Sequence, residues 1–424
     1  MILGNVPVGT CEGGTLRISS VTTLRVGEYP NLCYVALGTD DGLTGIGETF
    51  FGARAVAAWV HETAAAYLLG KDPRAVQRHS RALEGFVGSA GTGTENRGRS
   101  AVDIALWDLL GRHTGLPLYQ LLGGLARESV PIYNTCAGPT YVRELPESPD
   151  LPVSNWSSGR QSPTDAGQVH SGRSDLEWSR SDPGSLAKDL LAEGITAMKI
   201  WPFDEYAERT GGQHISITDL ERGLEPFRQI RETTGDEVEI IAELHSKWNL
   251  PTALRIARAL EPYQPMWIED PLRMDSLDAL TRFCAEVTSP TAASETVGSA
   301  RMFKSMIEHT GVQVVLFDPA WAGGISEALK IAALADAQHL PVAVHDCTGP
   351  INFAVGVHLS CSLGNTFVQE GVRAFYRGWY RELVNALPRV EAGNVAPLHS
   401  PGIGCELVEE LWHREDATVE TSSL

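Results

Sequence analysis

The sequence predicts an α/β chain in which a separate α+β domain precedes a (β/α)8 barrel. Three observations carry this. From about residue 129, strand-like apolar runs alternate with helical stretches, and eight such runs can be marked out. Three glutamates, Glu243, Glu269 and Glu295, each close one of those runs and stand 26 residues apart. That period fits one strand–helix unit, so consecutive strand ends would stand side by side at one mouth. The ends of the other runs from the second to the eighth are polar as well.

The elements follow in order. Leu16–Val26, Leu32–Gly38 and Leu43–Glu48 read as strands, with the turn residues Asp40, Asp41 and Gly42 marking a hairpin. Residues 53–70 and 100–113 carry apolar side chains three and four apart and read as helices. The barrel strands are expected at Val130–Thr135, Ala197–Trp201, Val238–Glu243, Met266–Glu269, Thr291–Ser294, Val312–Phe317, Val342–His345 and Thr366–Glu370. Residues 144–184, rich in Ser, Pro, Gly and Asp, form an insertion after the first barrel strand, on the side where a barrel keeps its chemistry. It reads equally as a lid or as a disordered loop. The polar tail, Thr418–Leu424, is expected to fray.

Composition excludes several classes. The 424 residues are 43% hydrophobic and 21% charged, as in ordinary globular chains. The net charge of −19 makes nucleic acid and anionic membranes poor partners. Seven scattered cysteines with no Cys-x-x-Cys pair point to reduced thiols in a cytoplasm, not to disulfides or zinc. The first residues do not read as a secretion signal, and no long uncharged apolar run predicts a membrane span.

The strand ends define a candidate site. Three carboxylates sharing a partly dry mouth repel unless a cation sits among them, and hard oxygen ligands suit Mg²⁺. Acidic residues are also common at helix N-termini, so spacing alone leaves a plain surface reading open. Lys199 ends the second barrel run, Asp318 the sixth, His345 the seventh and Glu370 the eighth. His245 lies two residues past Glu243, which on a continuing strand puts both side chains on one face. Each residue has a bland alternative, with Asp318 a turn residue, His345 a helix-cap neighbour and Glu370 a solvated loop residue. The joint pattern favours chemistry.

The residues also resemble a known family. The run from Asp41 to Glu48 (Asp-Gly-Leu-Thr-Gly-Ile-Gly-Glu), the helix Ala101–Asp108, Leu122–Gly124, Trp267–Pro271, Asp318–Ile325, Ala343–His345 with Gly349 and Pro350, and Pro401–Gly404 are similar to the enolase superfamily, mandelate racemase subgroup. Glu243-Leu-His245 and the single lysine in Met198–Trp201 resemble its galactonate dehydratase branch. The resemblance implies a capping domain (1–128, completed by 387–424) over a modified TIM barrel (129–386), and Mg²⁺-assisted removal of the proton α to a carboxylate. It implies one Mg²⁺ per subunit on Glu243, Glu269 and Glu295, with Lys199 adding charge beside the substrate carboxylate. His345 becomes the α-proton base, oriented by Asp318. His245 becomes the acid that protonates a departing β-hydroxyl, and Glu370 a hydrogen-bonding partner of the substrate.

Two residues depart from the family pattern. The first metal position is usually Asp, and Glu243 is one methylene longer. Racemases of the subgroup usually carry Lys-x-Lys on the second strand, whereas Trp201 cannot exchange a proton at neutral pH. The expectation is therefore an acid-sugar dehydratase giving a 2-keto-3-deoxy acid, with a small carboxylate as substrate and homo-oligomeric assembly. A racemase, epimerase or cycloisomerase on the same scaffold is the alternative. A catalytically silent binding protein and a zinc hydrolase barrel are weaker ones, because the ligand set is intact and made of carboxylates rather than histidines. Specificity is expected in Thr49–Gly52 and in Gly88–Arg99, with Phe50 and Phe51 either wall of the pocket or core.

Overall fold

A computed structural model describes residues 16–85, 91–141 and 174–424. The first domain is built on strands β1 (Ile18–Val26), β2 (Leu32–Thr39) and β3 (Thr44–Phe50). All their pairings are antiparallel. The helix over 94–114 lies on β3 so closely that a Cβ at Gly47 would collide with the Ala101 carbonyl and one at Gly45 with that of Ala105. The Gly-Ile-Gly of the sequence is thus a packing requirement. This helix starts at Thr94, six residues earlier than periodicity suggests, because Asn96 and Ser100 turn polar side chains toward the barrel rather than to solvent.

Eight parallel strands follow and close on themselves: β4 (Val130–Thr135), β5 (Ala197–Ile200), β6 (Glu239–Glu243), β7 (Trp267–Glu269), β8 (Thr291–Ala293), β9 (Val314–Phe317), β10 (Val342–Val344) and β11 (Thr366–Gly371), with β11 pairing to β4. All eight expected strands are present, several shorter by one or two residues at an end. The barrel interior is filled by Tyr133, Ala197, Ile241, Trp267, Ala292, Val314, Leu316, Ala343 and Val368. Alternate residues of the same strands, such as Met198, Ala242, Ile268 and Val344, join the larger core under the helices. The fold is therefore an eight-stranded TIM barrel with a separate antiparallel-sheet cap.

Two expectations need correction. The tail does not fray. Strands β12 (Arg389–Glu391) and β13 (Asn394–Ala396) form a hairpin that pairs with β4, and β14 (Ala417–Ser423) pairs with β1 along its length. Thr421 bonds Thr22 at 2.9 Å and Ser422 bonds His61 at 2.9 Å. Main-chain hydrogen bonding along a sheet edge holds this strand, and that needs no apolar side chains. The last part of the expected insertion at 144–184, read as lacking periodic structure, also differs. Residues 175–181 are helical with Ser174 as cap, and another helix starts at Pro183. Residues 144–173 lie outside the described residues. Among the described residues, no helix is long and apolar enough to cross a membrane.

Candidate active site

Strand alternation places most of the site. Ala197, Ile241, Trp267, Leu316, Ala343 and Val368 point into the barrel. Two residues further along each strand come Lys199, Glu243, Glu269, Asp318, His345 and Glu370, so all six share the inward face at the carboxyl end. Glu243 and Glu269 are direct register partners. Glu295 breaks the parity, because β8 ends at Ala293 and the chain bends before reaching it. His245 is also not placed by alternation. β6 ends at Glu243, and His245 (φ 49°) and Ser246 (φ 57°) turn in the left-handed region, which brings the imidazole back over the mouth.

The three glutamates converge. One oxygen from each of Glu243, Glu269 and Glu295 lies within 4.8 Å of the others, and all three side chains are buried. Glu295 Oε2 has no hydrogen-bond partner, and Glu243 Oε2 has none beyond the Lys199 ammonium at 3.5 Å. These under-satisfied carboxylate oxygens facing a third carboxylate form a hard, anionic donor set that fits a divalent cation such as Mg²⁺. Burial, followed by the neighbouring charges, pushes the Glu269 carboxyl up to about 8, with Lys199 opposing. The Glu295 carboxyl is raised for the same reasons, with His345 opposing. Lys199 Nζ lies 2.6 Å from Glu269, 2.8 Å from Glu370 and 3.5 Å from Glu243, and offsets part of this charge. Asp270, beside the triad, is a fourth buried carboxylate held by Ser294 Oγ at 2.8 Å. Burial and the three glutamates hold its pKa well above the usual range.

Two histidine–carboxylate pairs adjoin the triad. His345 Nδ1 sits 2.7 Å from Asp318 Oδ2, and its Nε2 lies 3.9 Å from Glu370. Asp318 Oδ1 also accepts from Ala320 N at 2.7 Å, so the carboxylate both caps the short helix Pro319–Ala322 and fixes the imidazole. Burial works against the His345 imidazolium, but Glu370, Asp318 and Glu295 outweigh it and push its pKa up to about 10. The second pair is His245 Nδ1 with Asp204 Oδ2 at 2.8 Å. Lys247 Nζ lies 3.2 Å from the same oxygen, and Tyr141 Oη 3.5 Å from His245 Nε2. Burial lowers the His245 pKa, and Asp204 and Glu243 more than reverse it.

Sequence reasoning missed Asp204. It lies in the first turn of a helix after β5, and only the fold of that loop brings it under His245. Glu370 is committed to the protein: Thr135 Oγ1 and Lys199 donate to one oxygen, and Asp346 N donates to the other at 3.1 Å. Its surroundings suit holding Lys199 and His345 in place.

The cap roofs the site. Thr49 Oγ1 donates to the Ala320 carbonyl at 2.7 Å and Asn96 Nδ2 to the Trp321 carbonyl at 2.5 Å, gripping the helix that Asp318 caps. The two phenylalanines divide their roles. Phe50 is buried core, whereas Phe51, half-buried at φ 68°, stacks on Trp321 at 6.0 Å. Trp321 in turn lies 5.2 Å from the His345 ring.

The comparisons agree with this geometry. Residues 15–123 match the mandelate racemase / muconate lactonizing enzyme N-terminal domain, and residues 184–411 the enolase C-terminal domain-like family. A D-galactonate dehydratase of Ralstonia nicotianae is 29% identical over 93% of both chains. A D-gluconate dehydratase of Thermoproteus tenax is 28% identical over 93% of this chain and 71% of its own. Among solved structures, an enolase of the mandelate racemase subgroup from Agrobacterium tumefaciens, with a succinimide residue, sodium and phosphate, is 42% identical. It covers 96% of this chain and 99% of its own with a TM-score of 0.83. An enolase protein from Sargasso Sea environmental sequencing is 37% identical over 96% and 99%, with a TM-score of 0.84. With both family domains matched in order and the acidic triad at the barrel mouth, the chain belongs to the enolase superfamily, in its mandelate racemase subgroup.

Proposed function

We propose that this protein is a hydro-lyase that dehydrates an acid sugar to a 2-keto-3-deoxy acid. The observation that carries the reading is the pair of histidine–carboxylate dyads, His345–Asp318 and His245–Asp204, next to one acidic triad. Loss of water across two carbons needs one group to take the α-proton and another to protonate the leaving hydroxyl. His345 takes the proton at Nε2, while Asp318 holds the proton on Nδ1. His245 donates at its own Nε2, with Asp204 holding the other ring nitrogen and favouring the charged form. Lys199 places fixed positive charge where the substrate carboxylate binds. Glu243, Glu269 and Glu295 would hold Mg²⁺, which when bound supplies positive charge against the charge developing on the substrate and against the carboxylates that keep His345 protonated. The names of the relatives, D-galactonate and D-gluconate dehydratase, support this reaction class.

The test is to incubate Mg²⁺-loaded protein with a library of sugar acids and assay semicarbazide-reactive keto acid. Formation of a keto acid supports the reading, and none from any acid removes it. Two proton carriers also serve an epimerase. Deuterium wash-in at the α-carbon without keto acid would assign that activity instead.

A further inference from the structure

Arg97 is a cationic group beside the site that the proposed chemistry does not use. It lies in the second turn of the cap helix 94–114. Its guanidinium carbon stands 4.5 Å over the Trp321 ring and 5.7 Å from that of Phe51. One N–H donates to the Phe50 carbonyl at 2.7 Å. Among the described residues no carboxylate lies within ion-pair distance of it, and the rest of its donor fork is not sealed from solvent. Burial lowers its pKa to about 10, with Asp318 opposing, so the charge persists at neutral pH. The contrast with Arg99, two residues on, is informative. Arg99 is buried and paired with Glu327 at 3.0 Å.

Position gives this cation its meaning. The Trp321 ring centroid lies 4.5 Å from the Arg97 guanidinium carbon and 5.2 Å from the His345 ring centroid. Arg97 and the base therefore stand at most 9.7 Å apart, within the reach of a six-carbon chain. Lys199 and the acidic triad serve one end of a substrate at the barrel mouth. Arg97 offers a second positive pole on the cap side, backed by the Trp321 and Phe51 rings. A monocarboxylate needs one such pole and a dicarboxylate two.

We infer that Arg97 is a specificity-determining residue that binds the distal carboxylate of the substrate, which makes the substrate class a sugar diacid rather than a monoacid. This rests on the acid-sugar dehydratase reading and deepens it. It also departs from the named activities of the curated relatives, whose substrates carry one carboxylate.

The experiment compares six-carbon sugar diacids and monoacids matched at every hydroxyl, using Mg²⁺-loaded wild type, Arg97→Met and Arg97→Lys. Arg97→Met keeps the packing over Trp321, and an unchanged melting temperature verifies the fold. Wild type should favour the diacid by about 10²-fold in kcat/KM, and Arg97→Met should remove most of that preference, chiefly through KM, while changing the monoacid by less than about fivefold. Arg97→Lys should fall between, because an ammonium keeps the charge and loses the fork. Calorimetric binding of diacids gives a readout independent of turnover, with wild type binding about tenfold or more tighter than Arg97→Met. Equal use of both classes by wild type, or an equal loss on both in Arg97→Met, overturns the inference. Keto acid from monoacids alone sinks this inference and leaves the dehydratase reading standing. Arg97-dependent diacid binding without any dehydration does the reverse, and absence of both removes both.

Discussion

At the scale of single residues, the site balances charge against burial. Glu295 is buried, lacks a donor on Oε2 and faces two other carboxylates. Such an arrangement is a liability for the metal-free fold and an asset for cation binding. Glu295→Gln should therefore melt no lower than wild type in EDTA, while its Mg²⁺ affinity falls by about 10²-fold, as loss of one anionic ligand implies. Equal melting shifts on adding Mg²⁺ to both proteins would refute that ligand assignment. Asp204 makes a separate prediction. It holds His245 by its Nδ1 and favours the imidazolium. Asp204→Asn should lower keto-acid formation by about 10²-fold, in the range of one proton-transfer role, while α-proton exchange with solvent survives. Exchange and dehydration falling together would make Asp204 a general support of the mouth rather than the partner of His245. These cases also mark what was legible. Lys199, Glu243, Glu269, Asp318, His345 and Glu370 follow from strand parity, which sequence displays directly. Asp204 and Arg97 approach through a loop turn and a domain contact, and neither leaves a periodic trace.

At the scale of elements, the strands were readable because alternation is built into each one, as in Ile241, Ala242 and Glu243 facing in, out and in. The β14 strand was not, since an edge strand is held by main-chain bonds and its side chains stay exposed. The helix over 350–362 shows a different kind of hidden content. Buried along nearly its whole length, it encloses His358. Tyr119 N donates to His358 Nδ1 at 3.3 Å, and Nε2 faces the Ile403 carbonyl at 2.9 Å. One ring nitrogen must accept and the other donate, so the neutral ring is the one that fits. Burial accordingly lowers its pKa to about 4. The free side chain titrates near ~6.5. Between these values the unfolded chain binds a proton that the folded chain refuses, so stability is complete above about 6.5 and is lost as pH falls toward 4. This one group should remove about 2 kcal/mol between pH 7 and pH 5. Urea unfolding at the two values checks it. His358→Gln, which keeps a donor and an acceptor without the titration, should show a shallower acid slope. An identical slope would place the acid sensitivity elsewhere.

At the scale of the whole molecule, the change of rhythm near residue 129 announces two domains, but not how firmly they are joined. The joints are buried polar contacts. The carboxylate of Asp103 on the cap helix accepts from Ser326 N at 2.9 Å, and Arg99 pairs with Glu327. Asp108 accepts from Ile46 N and from Ile403 N, tying the cap to the C-terminal segment. The joint nearest the chemistry is Glu48, at the end of the Gly-Ile-Gly-Glu run. Its carboxylate crosses from the cap to accept from Ile351 N at 3.3 Å and Asn352 N at 3.0 Å, capping the barrel helix that begins five residues after His345. Burial pushes that carboxyl up to about 8, with the two backbone donors opposing. The carboxylate fits against Gly349, where any added Cβ would collide with it. Gly349→Ala should therefore displace Glu48 and cost about 1–3 kcal/mol, the usual penalty of overpacking a tight core. Glu48→Ala alone should cost a similar amount, because two buried N–H groups lose their acceptor. If the two residues form one joint, the costs will not add. In the Glu48→Ala background the extra methyl has room, and Gly349→Ala should then be nearly neutral, leaving a coupling of about 1 kcal/mol or more in the double-mutant cycle. Additive costs would mean that the cap rests on the barrel without this joint.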